Sequence, residues 1–305
     1  MMYEKEKYSL KQALAQGQVV APCVWDCMSA HIAEQTGFKA LAVSSASFSE
    51  FGAGMPDAGL ISPEDMVKRV ETICLYTPLP VIADCEFGGG ETPLNTFRFV
   101  KQLVHAGASA VCVEDSTGMR GKERRLENAR YAFSLVDEET WLSKIAAAKE
   151  ACEGSECLVI ASTLAGLNKN EKDAIRRAEL AKKMGADVVL VEGLSGKEQA
   201  KLLAEQIAGT KAWILDAEDS LSVKELEELG YGLVLAHIFE APGLANMVEV
   251  GKRVWKEQTT VYSDSFRSPV RADGTPYAPV GYGVKWLEKE DSLKKQARQI
   301  LEEDV

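Results

Sequence analysis

Two acidic side chains one residue apart follow a short apolar segment of the chain. Asp84 and Glu86 come at the end of the predicted strand Pro80–Asp84, and a second apolar segment, Ala110–Glu114, also ends in carboxylates. Parallel strands that close into a barrel deliver their carboxyl ends to one mouth, where catalytic side chains gather. Carboxylate oxygens are ligands that Mg²⁺ prefers. We therefore expect a magnesium site built from Asp84, Glu86 and Glu114.

Polar residues also follow the other predicted strands: Trp25 and Asp26, Ser44 and Ser45, Ser162 and Thr163, Glu192, Asp216 and Glu218, and His237. These residues could be polar without any function, because strand ends meet water and helix N-termini. That explanation stays open for any single residue, and a histidine such as His237 is more often structural than catalytic. It accounts poorly for three carboxylates together, because their mutual repulsion is most simply offset by a divalent cation.

Apolar strands alternate with amphipathic helices along most of the chain, which predicts an α/β fold, a (β/α)8 TIM barrel over residues 1–257. The predicted strands are Val19–Trp25, Ala40–Ser44, Pro80–Asp84, Ala110–Glu114, Cys157–Thr163, Val188–Glu192, Lys211–Leu215 and Gly232–Ala236. The predicted helices include one that opens at Ser29, Pro93–Ala106 with Gly107 at its end, and Pro242–Glu257. Residues 258–305 form a C-terminal extension with a predicted helix, Val284–Glu303, which we expect to pack on a neighbouring subunit.

The excess of acidic residues in the chain makes some classes of binding partner unfavourable. The formal net charge of −11 disfavours nucleic acid and anionic membrane surfaces, since both repel a negative protein. The seven cysteines show no zinc-type spacing, and Cys23 lies in an apolar strand, where a free thiol behaves as a small core residue. No apolar segment is long enough to span a bilayer. These features predict a reduced, cytoplasmic protein.

The loops at the predicted barrel mouth carry two further signals. Gly88–Gly90 fit no nucleotide-binding pattern and predict a tight turn or a close approach of the backbone. Ser45, Ala46 and Ser47 lie where backbone amides can hold a carboxylate, although serine-rich loops commonly just turn.

From about Leu10 to Trp255 the chain resembles the isocitrate lyase/phosphoenolpyruvate mutase superfamily. The resemblance lies in five segments: Trp25–Ala30, Ser45–Ala46, Gly54–Gly59, Asp84–Gly88 and Val113–Asp115. The usual Asp-x-Asp-x-Gly metal motif of that superfamily has Glu86 at its second acidic position here.

The resemblance implies Mg²⁺, with Mn²⁺ as an alternative, held by Asp84, Glu86 and Glu114, partly through water. It implies a small anionic 2-oxo acid substrate whose enolate is stabilised while a C–C or C–P bond breaks or forms. The residues expected to bind this substrate are Trp25, Asp26, Ser45, Ala46, Ser47 and Asp84. The expected catalytic residues are Asp57, Glu114, Arg120, Glu192 and His237. The resemblance further implies a homo-oligomer, a tetramer or a dimer.

The chain departs from that superfamily at two places. The loop after the fourth strand, 116–130, lacks the cysteine and histidine of the lyases, and the end of the fifth strand, Ala161–Ala165, lacks the usual arginine. Serine cannot replace the bidentate grip of arginine on an anion. These departures argue against cleavage of isocitrate or methylisocitrate, and Arg120, Arg124 or Arg125 is a candidate replacement for the lost arginine.

Three functions therefore stay open. The first is a lyase or phosphonomutase-type enzyme with altered chemistry, and the second is an oxaloacetate decarboxylase, hydrolase or aldolase-type activity at the same site. The third is a binding protein that has lost turnover. The retained carboxylates favour an enzyme.

Overall fold

Eight parallel strands close into one barrel in the computed structural model, which describes residues 9–118, 134–168, 170–215, 221–259 and 281–303. The strands are β1 Val19–Val24, β2 Leu41–Val43, β3 Val81–Asp84, β4 Ala110–Glu114, β5 Leu158–Thr163, β6 Val188–Val191, β7 Lys211–Leu215 and β8 Leu233–Ala236. Each strand pairs with the next in sequence, and β8 pairs with β1 to close the ring. The predicted (β/α)8 barrel is confirmed.

Helices precede, connect and follow the strands along the chain. They are α1 Leu10–Gln16, α2 Cys27–Gln35, α3 Ser45–Ser47, α4 Pro63–Tyr76, α5 Pro93–Ala106, α6 Glu138–Cys152, α7 Glu171–Met184, α8 Lys197–Gln206, α9 Val223–Glu228, α10 Glu240–Glu257 and α11 Gly281–Glu303. A π-helical turn, Phe48–Gly52, continues α3. None of the described helices has the length and apolar character that a bilayer crossing requires.

Alternate residues of each strand point to opposite sides of the sheet, and this produces two separate apolar cores. The core inside the barrel contains Ile82, Cys112, Ile160, Leu190 and Leu235, among others. The intervening residues pack outward against the helices in a larger core. Two residues after the last inner-core residue of a strand, the side chain again points inward and lies at the barrel mouth. The strand periodicity therefore determines which side chains reach the mouth.

Capping residues fix where the helices begin. Ser62 and Thr92 each accept a hydrogen bond from the third helical residue, and a proline follows each of them at the first helical position. The sequence suggested that α2 opens at Ser29, but Asp26 is its N-cap and accepts the Ser29 N–H at 2.7 Å. The prediction was wrong by one turn because Ser29 completes the capping box rather than starting it.

A buried ion pair ties β4 to α7. Asp115 is 0% exposed and accepts hydrogen bonds from Thr163 Oγ1 at 2.6 Å, Leu164 N at 2.8 Å and Arg177 Nη1 at 3.2 Å. Burial raises the pKa of Asp115, while these hydrogen bonds and the charge of Arg177 oppose that rise. Asp115 therefore faces outward and anchors the strand whose previous residue, Glu114, faces the barrel interior.

The chain divides into two compact units, Met1–Glu249 and Val250–Val305. The first contains the barrel. The second contains α11, on which the apolar side chains of Leu287, Leu293, Ile300 and Leu301 are exposed. The expectation that residues 258–305 pack on a neighbouring subunit stays a prediction.

Arg177→Ala should destabilise the protein by about 3–5 kcal/mol, because it leaves the Asp115 carboxylate buried without its cation. The neighbouring Arg176 offers a matched control, since it pairs with Glu138 from an exposed position. Arg176→Ala should cost less than about 1 kcal/mol. Urea unfolding of the two variants measures both values, and equal losses would show that Asp115 does not anchor the strand.

Candidate active site

A cavity of about 320 Å³ lies at the carboxyl ends of the strands. Its polar lining comes from Ser44, Ser45, Asp57, Asp84, Glu114, Glu192 and His237, with Cys23 and Cys112 one step deeper. Asp84, Glu114, Glu192 and His237 each stand two residues beyond an inner-core residue of the same strand, namely Ile82, Cys112, Leu190 and Leu235. The period of the strands thus brings these four groups to one space.

Serine hydroxyls orient three of the four carboxylates of this cavity, those of Asp84, Glu114 and Glu192. Asp84 Oδ2 accepts from Ser45 Oγ at 2.7 Å and from Ser45 N at 3.1 Å. Glu114 Oε2 accepts from Ser116 Oγ at 3.1 Å, and Glu192 Oε1 accepts from Ser162 Oγ at 2.6 Å. Such supporting hydrogen bonds hold acidic groups in place for a ligand or an ion.

The electrostatics of the cavity centre on Glu114, which is only 6% exposed. Burial raises the pKa of Glu114 well above its usual range, and the nearby charges of Glu192 and Asp84 raise it further, against the hydrogen bond from Ser116. The four acidic groups that line this small cavity, Asp57, Asp84, Glu114 and Glu192, repel one another when ionised. This donor set fits a divalent cation, whose charge would offset that repulsion.

The loop after β3 carries Glu86 in a left-handed backbone conformation, with a φ of 49°. Its N–H donates to Asp84 Oδ1 at 3.0 Å, and its carbonyl accepts from Glu114 N at 2.8 Å. Non-glycine residues rarely adopt such a φ, and they do so preferentially at functional sites. The Glu86 backbone therefore links the other two predicted metal ligands, Asp84 and Glu114.

The glycines of this loop serve a tight turn against α5. A Cβ on Gly88 would lie 2.5 Å from Thr96 Oγ1, and one on Gly89 would lie 2.6 Å from a Phe99 ring carbon. Lys144 supports the loop from α6 by donating to the Phe87 carbonyl at 2.8 Å. The expected close approach of the backbone is therefore present, and the backbone of Gly88 and Gly89 approaches the side chains of α5.

The three predicted metal ligands, Asp84, Glu86 and Glu114, line two neighbouring cavities. Asp84 and Glu114 line the main cavity, whereas Glu86 lines a smaller cavity of about 30 Å³ that it shares with Asp84 and Ser45. Among the described residues, the three ligand oxygens do not all lie within 4.8 Å of one another. For one Mg²⁺ to be held by all three carboxylates, one of them would act through a water molecule or change its side-chain conformation.

The other predicted substrate-binding residues divide into two groups. Ser45 and Ala46 line the cavity together with Asp84, and so does Asp57, which was predicted to be catalytic. Ser47 lies outside its lining, and its hydroxyl donates to Glu240 Oε1 at 2.6 Å.

Trp25 and Asp26 also lie outside the lining of the cavity. Asp26 caps α2, and Trp25 packs against Phe51 with ring centroids 5.1 Å apart. Both residues have structural partners in this arrangement. Arg120, Arg124 and Arg125 lie outside the described residues.

His237 belongs to a cluster that the sequence did not reveal. His237 Nε2 lies 3.6 Å from Cys23 Sγ, and His237 Nδ1 lies 2.9 Å from Glu240 Oε1. Within the described chain, Cys23, His237 and Glu240 are the one set of three possible ligands whose atoms lie within 4.8 Å of one another. The inward position of Cys23 on β1 and the spacing His-x-x-Glu were the available signals.

Opposing influences set the proton affinity of His237. Burial alone would lower the pKa of His237, but Cys23 and Glu240 outweigh it and raise that pKa to about 11. For Glu240, burial works to raise the pKa, and the hydrogen bonds from His237 and Ser47 lower it overall. Both shifts have the direction expected of an imidazolium–carboxylate pair.

Comparisons with known proteins give a consistent result. The chain matches the family described as phosphoenolpyruvate phosphomutase over residues 10–242. The petal death protein of Dianthus caryophyllus is 33% identical over 264 residues, which are 81% of this chain and 77% of the relative. The 2,3-dimethylmalate lyase of Eubacterium barkeri is 30% identical over 226 residues, covering 71% of this chain and 74% of the relative.

A solved structure agrees with these sequence relatives. A trigonal crystal form of 2,3-dimethylmalate lyase, a PEP mutase/isocitrate lyase superfamily member, matches with a TM-score of 0.81 at 26% identity. The match covers 97% of this chain and 96% of that one. The resemblance read from the sequence is confirmed.

Glu240→Gln should lower the pKa of His237, because it removes the carboxylate that favours the imidazolium. Since the folded pKa is raised, the stabilising effect of the pair is complete below about pH 6.5 and is lost as the pH rises toward 11. The chain has three histidines, so NMR titration of the imidazole carbons can follow each, with His237→Asn as the assignment control. An unchanged His237 titration in the Glu240 variant would contradict the pairing.

Proposed function

The chain belongs to the phosphoenolpyruvate phosphomutase family, and from that premise we propose that it is a Mg²⁺-dependent enzyme acting on a small 2-oxo carboxylic acid. The proposed reaction breaks or rearranges a C–C or C–P bond through an enolate. The observation that supports this proposal most strongly is the cavity lined by Asp84, Glu114 and Glu192.

The family places lyases and phosphomutases on this fold, and the cavity suits their chemistry. A volume of about 320 Å³ is at the small end of ligand pockets and suits a short organic acid. An acid anion entering between three carboxylates would be repelled unless a cation were present. The proposed ion thus accounts for how an acidic cavity accepts an acidic substrate.

Asp84, Glu86 and Glu114 are the residues that would hold the ion, Mg²⁺ or Mn²⁺. When bound, the ion would supply Lewis-acid stabilisation of negative charge on the 2-oxo oxygen of the substrate. Ser45 fixes the Asp84 carboxylate through two hydrogen bonds, and the Glu86 N–H fixes its second oxygen. These contacts prepare Asp84 before any ligand arrives, which lowers the cost of ordering it on binding.

The cavity lining suggests distinct tasks for the other residues. Ser45 and Ala46 form the wall against which we place the carboxylate of the substrate, and Asp57 faces the same space. Glu192, held by Ser162, is positioned to exchange a proton with a bound substrate. Arg120 is proposed, on its sequence position alone, to supply positive charge over the mouth.

The proposal extends to the state of the protein in the cell. A homo-oligomer, a tetramer or a dimer in the cytoplasm, agrees with the exposed apolar residues on α11, which a neighbouring subunit would cover.

A turnover screen tests the proposed activity. Oxaloacetate, phosphonopyruvate, phosphoenolpyruvate and 2-alkylmalates, including 2,3-dimethylmalate, are incubated with the full chain and Mg²⁺, and product formation is followed by NMR. At least one of them should be consumed, and a chelator should stop the reaction. Glu86→Ala should lower the rate by about 10–100-fold, as loss of a supporting metal contact commonly does.

Glu91→Ala is the matched control for that variant, since Glu91 lies in the same loop but is exposed and outside both cavities. It should turn over at the wild-type rate. A reaction insensitive both to chelator and to Glu86→Ala would exclude the metal-dependent mechanism.

A further inference from the structure

We propose that Cys23, His237 and Glu240 form a proton relay in which the Cys23 thiol exchanges a proton with a carbon atom of the bound substrate. This inference rests on the proposed function, because it assigns the proton donor of the same cavity. It adds a catalytic residue, Cys23, and a positioning residue, Glu240, that the sequence did not indicate.

The three side chains have the arrangement of an activated thiol. Cys23 Sγ is 3.6 Å from His237 Nε2, and the other ring nitrogen, Nδ1, is 2.9 Å from Glu240 Oε1. A nucleophile or acid, a base and a third group that orients the base constitute the general pattern of catalytic triads. The hydrogen bond at Nδ1 directs Nε2 toward the sulfur.

Glu240 is itself held firmly. Its Oε1 accepts from Ser47 Oγ at 2.6 Å, and its Oε2 accepts from the Phe239 N–H at 3.1 Å. A carboxylate with these fixed donors can hold the imidazole in one orientation. The buried position of Ser47, outside the cavity lining, thereby gains an explanation.

Barrel closure brings the relay to the cavity. In the parallel pair of β1 and β8, Ala21 is opposite Leu235 and Pro22 is opposite Ala236, so Cys23 and His237 follow side by side. Both line the cavity. In a closed ring of eight strands, β8 and β1 lie across from β4 and β5, so the relay faces the wall that carries Glu114.

This placement separates two chemical tasks across one cavity. One wall has the carboxylates proposed to hold the ion near the 2-oxo oxygen, and the opposite wall has a thiol near the remaining carbon atoms of the substrate. Cys23 is 3% exposed, whereas the His237 side chain is 35% exposed. The histidine therefore connects a buried thiol to solvent.

The proton balance of the step is complete. In the decarboxylation of oxaloacetate, the C3–C4 bond breaks and C4 leaves as CO₂. The electron pair of that bond passes into the enolate of C2 and C3, and the Cys23 thiol gives its proton to C3. The thiolate recovers a proton from the His237 imidazolium, and the imidazole recovers one from water. The raised pKa of His237 agrees with an imidazolium at neutral pH, with burial opposed by Cys23 and Glu240.

A structural zinc ion is the rival explanation of the same cluster. Zinc bonds to sulfur and nitrogen at tetrahedral angles place those two ligand atoms about 3.5 Å apart, close to the observed separation. However, the direct contact of Glu240 with Nδ1 makes it a partner of the histidine, which leaves two protein ligands where zinc sites use three or four. The contacts therefore favour the relay.

Alkylation of Cys23 tests the relay without any substrate. The full chain is treated with iodoacetamide between pH 6 and pH 9, and the Cys23 peptide is followed by mass spectrometry. If His237 shares the proton of the thiol, His237→Gln should slow alkylation at pH 7 at least tenfold, and Glu240→Gln should shift the pH profile of the rate. His105→Gln, on α5 away from the cavity, should behave as wild type.

Turnover of oxaloacetate and 2,3-dimethylmalate with Mg²⁺ in D₂O tests the catalytic role. Cys23→Ala should lower kcat by about 10²–10⁴-fold with little change in KM, as expected for loss of a general acid. Cys74→Ala, which removes another buried thiol from α4, is the matched control. Glu240→Gln should shift the pH profile of kcat.

The outcomes separate the two proposals. Mg²⁺-dependent turnover within threefold of wild type in Cys23→Ala, with alkylation unaffected by His237→Gln, would overturn the relay and leave the proposed function intact. If neither probe is turned over by the wild type, the alkylation rates still decide whether the relay exists. Stoichiometric zinc in the purified protein, lost in Cys23→Ser, would replace the relay by a metal site.

Discussion

The two-residue alternation of strands in a closed parallel barrel is the constraint on which the site depends. Alternate residues of each strand point into the barrel, and the residues between them point toward the helices. All strands end at the same mouth. Because Ile82, Cys112 and Leu190 fill the inside of the barrel, Asp84, Glu114 and Glu192 must reach the mouth together. A shift of one residue in any strand would turn its acidic group toward the helices.

Carboxylates brought this close together repel one another, and neighbouring groups reduce part of that repulsion. Serine hydroxyls orient the Asp84 and Glu192 carboxylates. Asp115 faces outward, where it pairs with the buried Arg177, and so adds no negative charge to the cavity. Glu114 still stands close to Glu192 and Asp84, which raises its pKa. A divalent cation is the simplest group that would relieve this repulsion.

Much of this was accessible from the sequence, and the limits have physical causes. The bounds of β4 and α5 were predicted correctly because a continuous apolar segment and a Thr-Pro start with a Gly stop are strong local signals. The helix α10 was predicted to start at Pro242, two residues late, so Glu240 was left out of consideration. Cys23 was read as a core residue, since its contact with His237 depends on closure between the first and last strands.

The roles of individual residues were harder to predict than the fold. Asp26 and Trp25 belong to the segment that carried the resemblance, yet their contacts here are a helix cap and an aromatic pair. Ser47 was expected to face the substrate and instead supports Glu240. Local sequence fixes which strand end a residue occupies, but the direction of a side chain in a loop depends on packing from distant parts of the chain.

We propose that the divalent ion binds at the wall of the cavity that carries Asp84 and Glu114, and not between Cys23 and His237. A crystal of the full chain soaked in Mn²⁺ and measured at the manganese absorption edge tests this directly through the anomalous difference map. We expect one strong peak beside Asp84 and Glu114, within reach of Glu86 directly or through water. A peak between Cys23 and His237, with none beside Asp84, would contradict it.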